Sequence, residues 1–293
     1  MKRLLPLGAL LFTGCAALQN LDVSTLTGGR VNSHVDVMKV AKGVNQIRKG
    51  FEEISESEEY YIGRAVAAQV LTKYEALNDP GLNSYAQRVA QAVALASDRP
   101  STFKGYHVQV LNSAEINAFA APGGFIFVTK GLLKLVKSED ELACVLAHEV
   151  AHVAKKHGLK TIQTSRLTSA FTILGSEAAK NYTPQQVSQL TSAFEGAVDD
   201  VVNKLVVNGY SRDKEYEADK FGAQYAKAAH YDPGALQTFL ARMEKAEGGH
   251  AGGMFKTHPA PAKREAELGS LSPAPGYQRS SERGRRFTQA VQL

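Results

Sequence analysis

Residues 138–158 read SEDELACVLAHEVAHVAKKHG, and this stretch predicts a long, strongly apolar helix. Ser138 and Glu141 have the spacing of a capping box, and Gly158 offers a stop after the last polar residues. The helix between these signals would contain about 19 residues, or about 29 Å at the usual rise per residue. The sequence therefore predicts one capped helix across this region.

Three ionisable side chains interrupt the apolar run of this helix. They are His148, Glu149 and His152, and no other polar residue occurs between positions 142 and 154. Charged groups in such a setting are costly unless a partner such as a divalent cation compensates them. Because positions i and i+4 share a helix face, both imidazoles can bind one ion, and Glu149 can contact a water molecule there.

This HExxH pattern predicts a hydrolytic zinc centre with one Zn²⁺ per chain. Zinc lowers the pKa of a water molecule that it binds, and the Glu149 carboxylate can take the proton as that water attacks a peptide carbonyl. The alternative is an accidental meeting of two core histidines and a buried glutamate. The apolar flanks and the predicted helix caps argue against that alternative.

A catalytic zinc ion needs a third protein ligand and one open coordination position. The metzincin pattern would place a histidine six residues after His152, but Gly158 stands there. His157 is off register, and we predict that it is a helix-terminal residue that complements the helix dipole. The third ligand must therefore come from another segment.

The best candidate for the third ligand lies in SRDKEYEADKFG, residues 211–222. Glu215, Asp219 and Gly222 fall along one face of the predicted helix, and Glu217 falls on the opposite side. Glu215 is therefore the predicted ligand, with Gly222 permitting a close approach of two helices. Asp219 could accept a hydrogen bond from the far ring nitrogen of a ligating histidine. The alternative is an exposed helix with a pair of acidic residues four apart.

The order of predicted elements indicates an α+β fold, mostly helical with a small antiparallel sheet. Strand patterns cover residues 106–111 and 125–129, and residues 117–120 between them predict a short edge strand along the active-site cleft. Helical patterns lie before and after the strands, including residues 160–208. We expect one domain over residues 51–269.

Composition and charge indicate an ordinary globular chain. Of the 293 residues 44% are hydrophobic and 22% are charged, which predicts a packed core. The net charge of +5 is mild, and nucleic acid is not expected as a partner because such proteins concentrate basic residues on one face. Residues 270–293 are rich in Ser, Pro, Gly and Arg, and we predict a flexible C-terminal tail.

The first 20 residues, MKRLLPLGALLFTGCAALQN, have the layout of a secretory signal. Two cations precede an apolar run that is too short to span a bilayer. Cys15 follows small residues as in a bacterial lipobox, which predicts a signal peptide at 1–14, lipidation of Cys15 and a lipid-anchored tether at 15–50. A plain signal peptide with an incidental cysteine is the alternative.

Five motifs occur in one order over residues 55–268 and together resemble a known family. They are SEEYYIG, NAFAAPGGFIFVTKGLL, HEVAH, SRDKEYEAD and THPAPAKR. The chain is similar to the CAAX-prenyl-protease-like and heat-shock-protease-like zinc metallopeptidases, the minigluzincins. The lipobox places it nearest to their soluble periplasmic lipoprotein branch. The resemblance implies a zincin-like metallopeptidase domain.

The resemblance also implies roles for individual residues. It makes Glu215 the third zinc ligand and Asp219 the partner of a ligating histidine. His258 would lie near the metal, either stabilising an oxyanion or blocking the site as a fourth ligand. The resemblance implies that Arg264 orders that loop or the substrate, and that an edge strand pairs with an extended polypeptide substrate through Asn117, Ala118 and Phe119.

The sequence as a whole thus predicts a zinc-dependent endopeptidase acting on extended or misfolded envelope proteins. We expect it at the periplasmic side of the outer membrane of a Gram-negative host, held to the membrane by its lipid anchor only. A chaperone-like or scaffold lipoprotein with a blocked or structural zinc site is the alternative. The sequence leaves the oligomeric state open.

Overall fold

The computed structural model describes residues 54–162, 184–247, 257–258, 277 and 280–293. The predicted signal peptide, the tether with Cys15, and Arg264 lie outside these residues. The predicted bounds of the domain at 51 and 269 also lie outside them.

Helices dominate the described part of the chain. They are α1 (Glu56–Lys73), α2 (Pro80–Leu95), α3 (Lys130–Leu135), α4 (Glu139–Ala154), α5 (Pro184–Val202), α6 (Arg212–Ala228), α7 (Ala235–Glu247) and α8 (Ser281–Ala290). Helix α5 continues into a wider π-helical stretch at Asn203–Asn208. Short 3₁₀ turns lie at Pro122–Gly124 and Leu159–Thr161.

The sheet has three strands in the order β1–β3–β2, with β1 at His107–Leu111, β2 at Ala118–Ala121 and β3 at Phe125–Thr129. The α+β class is confirmed, but the expectation of a wholly antiparallel sheet is wrong. Strands β2 and β3 form an antiparallel hairpin, and β3 runs parallel to β1. The sheet is mixed because the hairpin places its second strand, not its first, beside β1. Strand β2 is left at the edge, where it packs against α4.

The turn between β2 and β3 is fixed by a buried carboxylate from α1. Glu59 is fully buried, pairs with both terminal nitrogens of Arg99 at 2.9 and 3.0 Å, and accepts the Gly123 N–H at 3.0 Å. Gly123 has φ 75°, and a Cβ there would lie 2.8 Å from Tyr60 Cα. The segment SEEYYIG therefore positions the hairpin that carries β2.

Helix α4 is the centre of the core, since its residues from Glu139 to Val153 are all buried. Its N-terminus only partly matches the predicted capping box. The Ser138 hydroxyl accepts the Glu141 N–H at 3.2 Å. The Glu141 carboxylate, however, binds the Lys137 N–H and the Arg242 guanidinium instead of reaching back to Ser138.

Helix α4 ends four residues before the predicted stop at Gly158. Lys156 has φ 55°, its N–H donates to Val153 O at 3.0 Å, and the His157 N–H donates to His152 O at 3.0 Å. This pair of hydrogen bonds is a Schellman motif, here with a lysine in the left-handed position. The chain therefore turns back on the helix at His157.

The C-terminal segment differs from the predicted flexible tail. Ser281–Ala290 form α8, which lies against the start of α4. Arg286 binds the buried Glu139 carboxylate at 2.6 and 3.2 Å, and Arg283 lies 3.4 Å from Asp140. Phe287 and Ala290 of α8 also pack against the main apolar cluster. The sequence pattern missed this helix because most of its side chains are polar and the carboxylates that they bind lie on another element.

Helix α6 approaches the backbone of α4 closely at Gly222, as predicted. A Cβ there would lie 2.9 Å from His148 N and 3.0 Å from His148 Cα. We expect Gly222→Ala to destabilise the fold by about 1–3 kcal/mol, since backbone atoms must move apart, and to weaken metal binding. Urea unfolding and zinc titration measure the two effects.

Gly284→Ala on α8 is the matched control, because a Cβ there meets nothing within 4 Å. It should leave stability unchanged or raise it by up to about 1 kcal/mol. Equal stability of the two variants would contradict the close helix contact.

A second prediction concerns the ion pair of α8. Glu139 is 2% exposed and also accepts hydrogen bonds from the Tyr85 and Tyr231 hydroxyls. Removal of the guanidinium in Arg286→Ala should cost about 1–2 kcal/mol, a value reduced because half of the arginine side chain is exposed. Arg285→Ala is the control for thermal unfolding, since among the described residues Arg285 forms its ion pair with Glu282, which is exposed. A similar loss in both variants would refute a specific anchor.

Candidate metal centre

Four buried side chains with metal-binding atoms meet between α4 and α6. His148, His152, Glu215 and His258 each offer one nitrogen or carboxylate oxygen, and these atoms all lie within 4.8 Å of one another. Their residues are at most 6% exposed. The site is therefore enclosed by the chain.

The fold explains why these side chains meet. His148 and His152 lie one turn apart on α4, and Glu215 lies in the first turn of α6. The close approach at Gly222 brings the two helices together. His258 comes from a separate short segment of which Thr257 is the other described residue. The structure thus brings together the three predicted ligands and the additional histidine.

The spacing of the donor atoms fits a tetrahedral ion. Two ligand atoms at about 2.1 Å from a tetrahedral zinc lie about 3.4 Å apart. His148 Nε2 lies 3.0 Å from His152 Nε2 and 3.5 Å from Glu215 Oε2. His152 Nε2 lies 3.6 Å from Glu215 Oε1. These three residues can therefore hold one metal ion.

Asp219 fixes the tautomer of His148 in the ligating state. Its Oδ1 lies 2.8 Å from His148 Nδ1, so the proton of the neutral ring belongs on Nδ1. The Nε2 lone pair then points at the site, 3.0 Å from His152 Nε2. A cation between the two rings would remove the repulsion of two facing lone pairs. The chemistry of the donor set therefore fits a metal.

The electrostatics of the site favour the ligating protonation states. Burial holds the pKa of His152 well below its usual value, against the opposing charge of Glu215. Burial would raise the pKa of Glu215, but His258 and His148 outweigh it, and the net direction is well below the usual value. A neutral imidazole and an ionised carboxylate are the forms that bind a metal.

Glu149 is 1% exposed and follows His148 on the helix that carries both histidines. Burial raises the pKa of the Tyr210 hydroxyl well above its usual value, and the negative charges of Glu149 and Glu215 raise it further. Glu149 thus adjoins a ligating histidine in the chain and acts electrostatically on Tyr210, whose ring stacks on His152.

Sequence reasoning missed two residues beside the site. The Tyr210 ring stacks on the His152 ring with centroids 4.5 Å apart and an angle of 20°. Gly209 has φ 68°, and a Cβ there would lie 2.0 Å from Thr257 O. Gly209 therefore lets the segment with His258 pass against the site. The turn before SRDKEYEAD was the only available signal.

His157 lies just past the C-terminal end of α4, as predicted, but its expected role beside the helix dipole is wrong. The side chain is fully buried, and burial lowers its pKa and so disfavours the charged form that would complement the dipole. Its Nδ1 lies 2.9 Å from His152 Nδ1, and its Nε2 lies 3.1 Å from Glu217 Oε2. The Schellman turn at Lys156 directs it back toward the site, and Glu217, assigned to the far side of α6, reaches it there.

The predicted substrate strand lies beside the metal-binding helix. Asn117 precedes β2, and its N–H donates to Thr129 Oγ1 at 3.0 Å. Ala118 and Phe119 belong to β2 and are buried. Ala118 packs in the cluster around α4, and Phe119 packs in a second cluster with α1 and α5.

Comparisons of the chain with a family model and with known proteins agree on one family. The family model described as Peptidase family M48 matches residues 80–272. The chain is 31% identical over 222 residues to mitochondrial metalloendopeptidase OMA1 of Schizosaccharomyces pombe, covering 74% of this chain and 62% of that protein. It is 27% identical over 220 residues to the Escherichia coli beta-barrel assembly-enhancing protease, covering 73% and 44%.

A further relative, Escherichia coli metalloprotease YcaL, is 27% identical over 263 residues and is covered over 92% of its length, against 89% of this chain. The chain spans less than two thirds of the OMA1 and beta-barrel assembly-enhancing relatives. The matched segment 80–272 contains the four clustered side chains and most of the described zincin-like α+β domain. The chain therefore belongs to peptidase family M48.

Proposed function

We propose that this chain is a zinc-dependent endopeptidase that cuts extended or misfolded polypeptide segments. The observation that carries the proposal is the buried set of His148, His152 and Glu215 with Glu149 beside it. Two imidazoles and one carboxylate are the ligands of a known class of catalytic zinc sites, which keep the fourth position for water or substrate. The family membership and the metalloprotease names of the relatives support the same activity.

The chemistry divides between the ion and Glu149. Zinc bound by the three ligands would polarise the scissile carbonyl and lower the pKa of the attacking water. Glu149 takes the proton of that water as it attacks and returns it to the amine that leaves. Burial of the site excludes bulk water and strengthens each of these electrostatic interactions.

We place the substrate along β2 as an added strand. Alternate side chains of β2 pack into the two apolar clusters, with Ala118 and Ala120 in one and Phe119 and Ala121 in the other. Both faces of the strand are thereby occupied, and within the described residues its backbone pairs with β3 alone. A polypeptide that pairs with a strand edge is held through its main chain, so cleavage would depend little on sequence.

The proposed location is the periplasmic face of the outer membrane, with Cys15 as the lipid attachment site. The N-terminal lipobox supports it, and the name of the Escherichia coli relative supports envelope proteins as substrates. None of the helices in the described part of the chain is long and apolar enough to cross a membrane.

A chaperone-like or scaffold lipoprotein is the second candidate function, and one contact favours it. His258 Nδ1 lies 2.5 Å from Glu215 Oε2, so this histidine is hydrogen-bonded to the proposed third ligand. A histidine held there could fill the position that a substrate needs. Faster proteolysis by His258→Ala than by the unchanged chain would support a blocking role. Slower proteolysis would support stabilisation of the oxyanion.

Glu149→Gln tests the proposed function. We expect loss of at least about 100-fold in the rate of cleavage of an unfolded, casein-type protein, because the amide cannot accept the proton. Zinc content, measured on the same samples, should stay at one ion per chain. Glu244→Gln, a matched change at an exposed position of α7, should cleave at the unchanged rate. Cleavage by Glu149→Gln at the control rate would exclude the mechanism.

A further inference from the structure

His157 is held against a proposed metal ligand by the backbone. Lys156 and His157 close the Schellman motif at the end of α4, and the His157 N–H donates to the carbonyl of His152. In a Schellman motif the residue after the left-handed position often makes an apolar contact with the residue at the start of the last helical turn. In this chain those two residues are His157 and His152. Here that contact is a hydrogen bond between two ring nitrogens, 2.9 Å apart.

The hydrogen bonds define one arrangement of protons. His152 Nε2 faces the donor cluster, so Nδ1 must carry the proton when the neutral ring binds a metal. The His152 Nδ1 proton is donated to His157 Nδ1, so that His157 nitrogen must itself be unprotonated. His157 then carries its own proton on Nε2 and donates it to Glu217 Oε2 at 3.1 Å. The carboxylate thus sets the tautomer of both rings.

The same helix serves both ligating histidines in this way. Asp219 contacts His148 Nδ1 directly, and Glu217, two residues earlier on α6, reaches His152 through His157. Glu215, the third ligand candidate, stands two residues before Glu217. The Tyr210 ring stacks on His152 and lies 5.8 Å from the His157 ring, which restricts rotation of both imidazoles.

We propose that His157 and Glu217 are positioning residues that hold His152 in the tautomer that binds the metal. The inference rests on the proposed zinc site. Partners of this kind typically contribute a factor of about 10 to 100 to metal affinity. His157 is buried and binds the ligand itself, whereas the Glu217 side chain is 42% exposed. The contribution of Glu217 is therefore expected at the lower end of that range.

Zinc titration of the full chain against a competing chelator tests the proposal. The zinc dissociation constant should rise about 100-fold in His157→Leu and about 10-fold in Glu217→Ala. His157→Asn should bind zinc more tightly than His157→Leu, because its side-chain oxygen can replace Nδ1 as acceptor. Asp213→Ala removes an exposed carboxylate from the same helix and should leave the dissociation constant unchanged.

Nitrogen NMR of the metal-free chain gives a second measure that packing alone would not change. In the unchanged chain His152 should carry its proton on Nδ1, and in His157→Leu it should show both tautomers. A proton on His152 Nε2 in the unchanged chain would overturn the proposal. Equal zinc affinity of Glu217→Ala and Asp213→Ala would also overturn the proposal. Because Glu217 is partly exposed, the Glu217→Ala variant keeps the test valid if His157→Leu does not fold.

The two proposals fail in different ways. If the unchanged chain binds no zinc, the proposed function is wrong, and the role in metal binding is wrong with it. If that chain binds one zinc ion and the His157 and Glu217 variants match the control, only the positioning role is wrong.

Discussion

Two imidazole nitrogens lie 3.0 Å apart inside a buried helix interface, and the rest of the site is arranged around that contact. Buried polar atoms must be paired, and a buried charge costs several kcal/mol unless a partner compensates it. Helix α6 supplies the partners of the two rings from one short segment. The Glu215 carboxylate faces both rings, and the Asp219 and Glu217 carboxylates lie behind them. The backbone contact at Gly222 makes this possible, since a side chain there would separate the helices.

The placement of the main site groups followed from helical periodicity. His148 and His152 are one turn apart, and Glu215, Asp219 and Gly222 share a face, so their positions needed no knowledge of tertiary structure. The structure brings these residues together as the pattern predicts.

Features that depend on single backbone conformations or on distant partners could not be predicted in this way. Lys156 adopts φ 55°, which residues other than glycine seldom do, and the resulting turn carries His157 into the site. The pairing of β1 with β3 depends on where the hairpin docks, and α8 depends on a carboxylate of α4 and on apolar packing against the core. Arginine-rich, polar sequences usually indicate an exposed segment, because their buried partners are invisible in the local pattern.

We propose that His148, His152 and Glu215 bind one catalytic zinc ion. A crystal structure of the chain grown with zinc, with anomalous data collected on both sides of the zinc absorption edge, tests it most directly. We expect one strong peak within about 2.2 Å of His148 Nε2, His152 Nε2 and a Glu215 oxygen. A site without a peak, or an ion bound without Glu215, would contradict it.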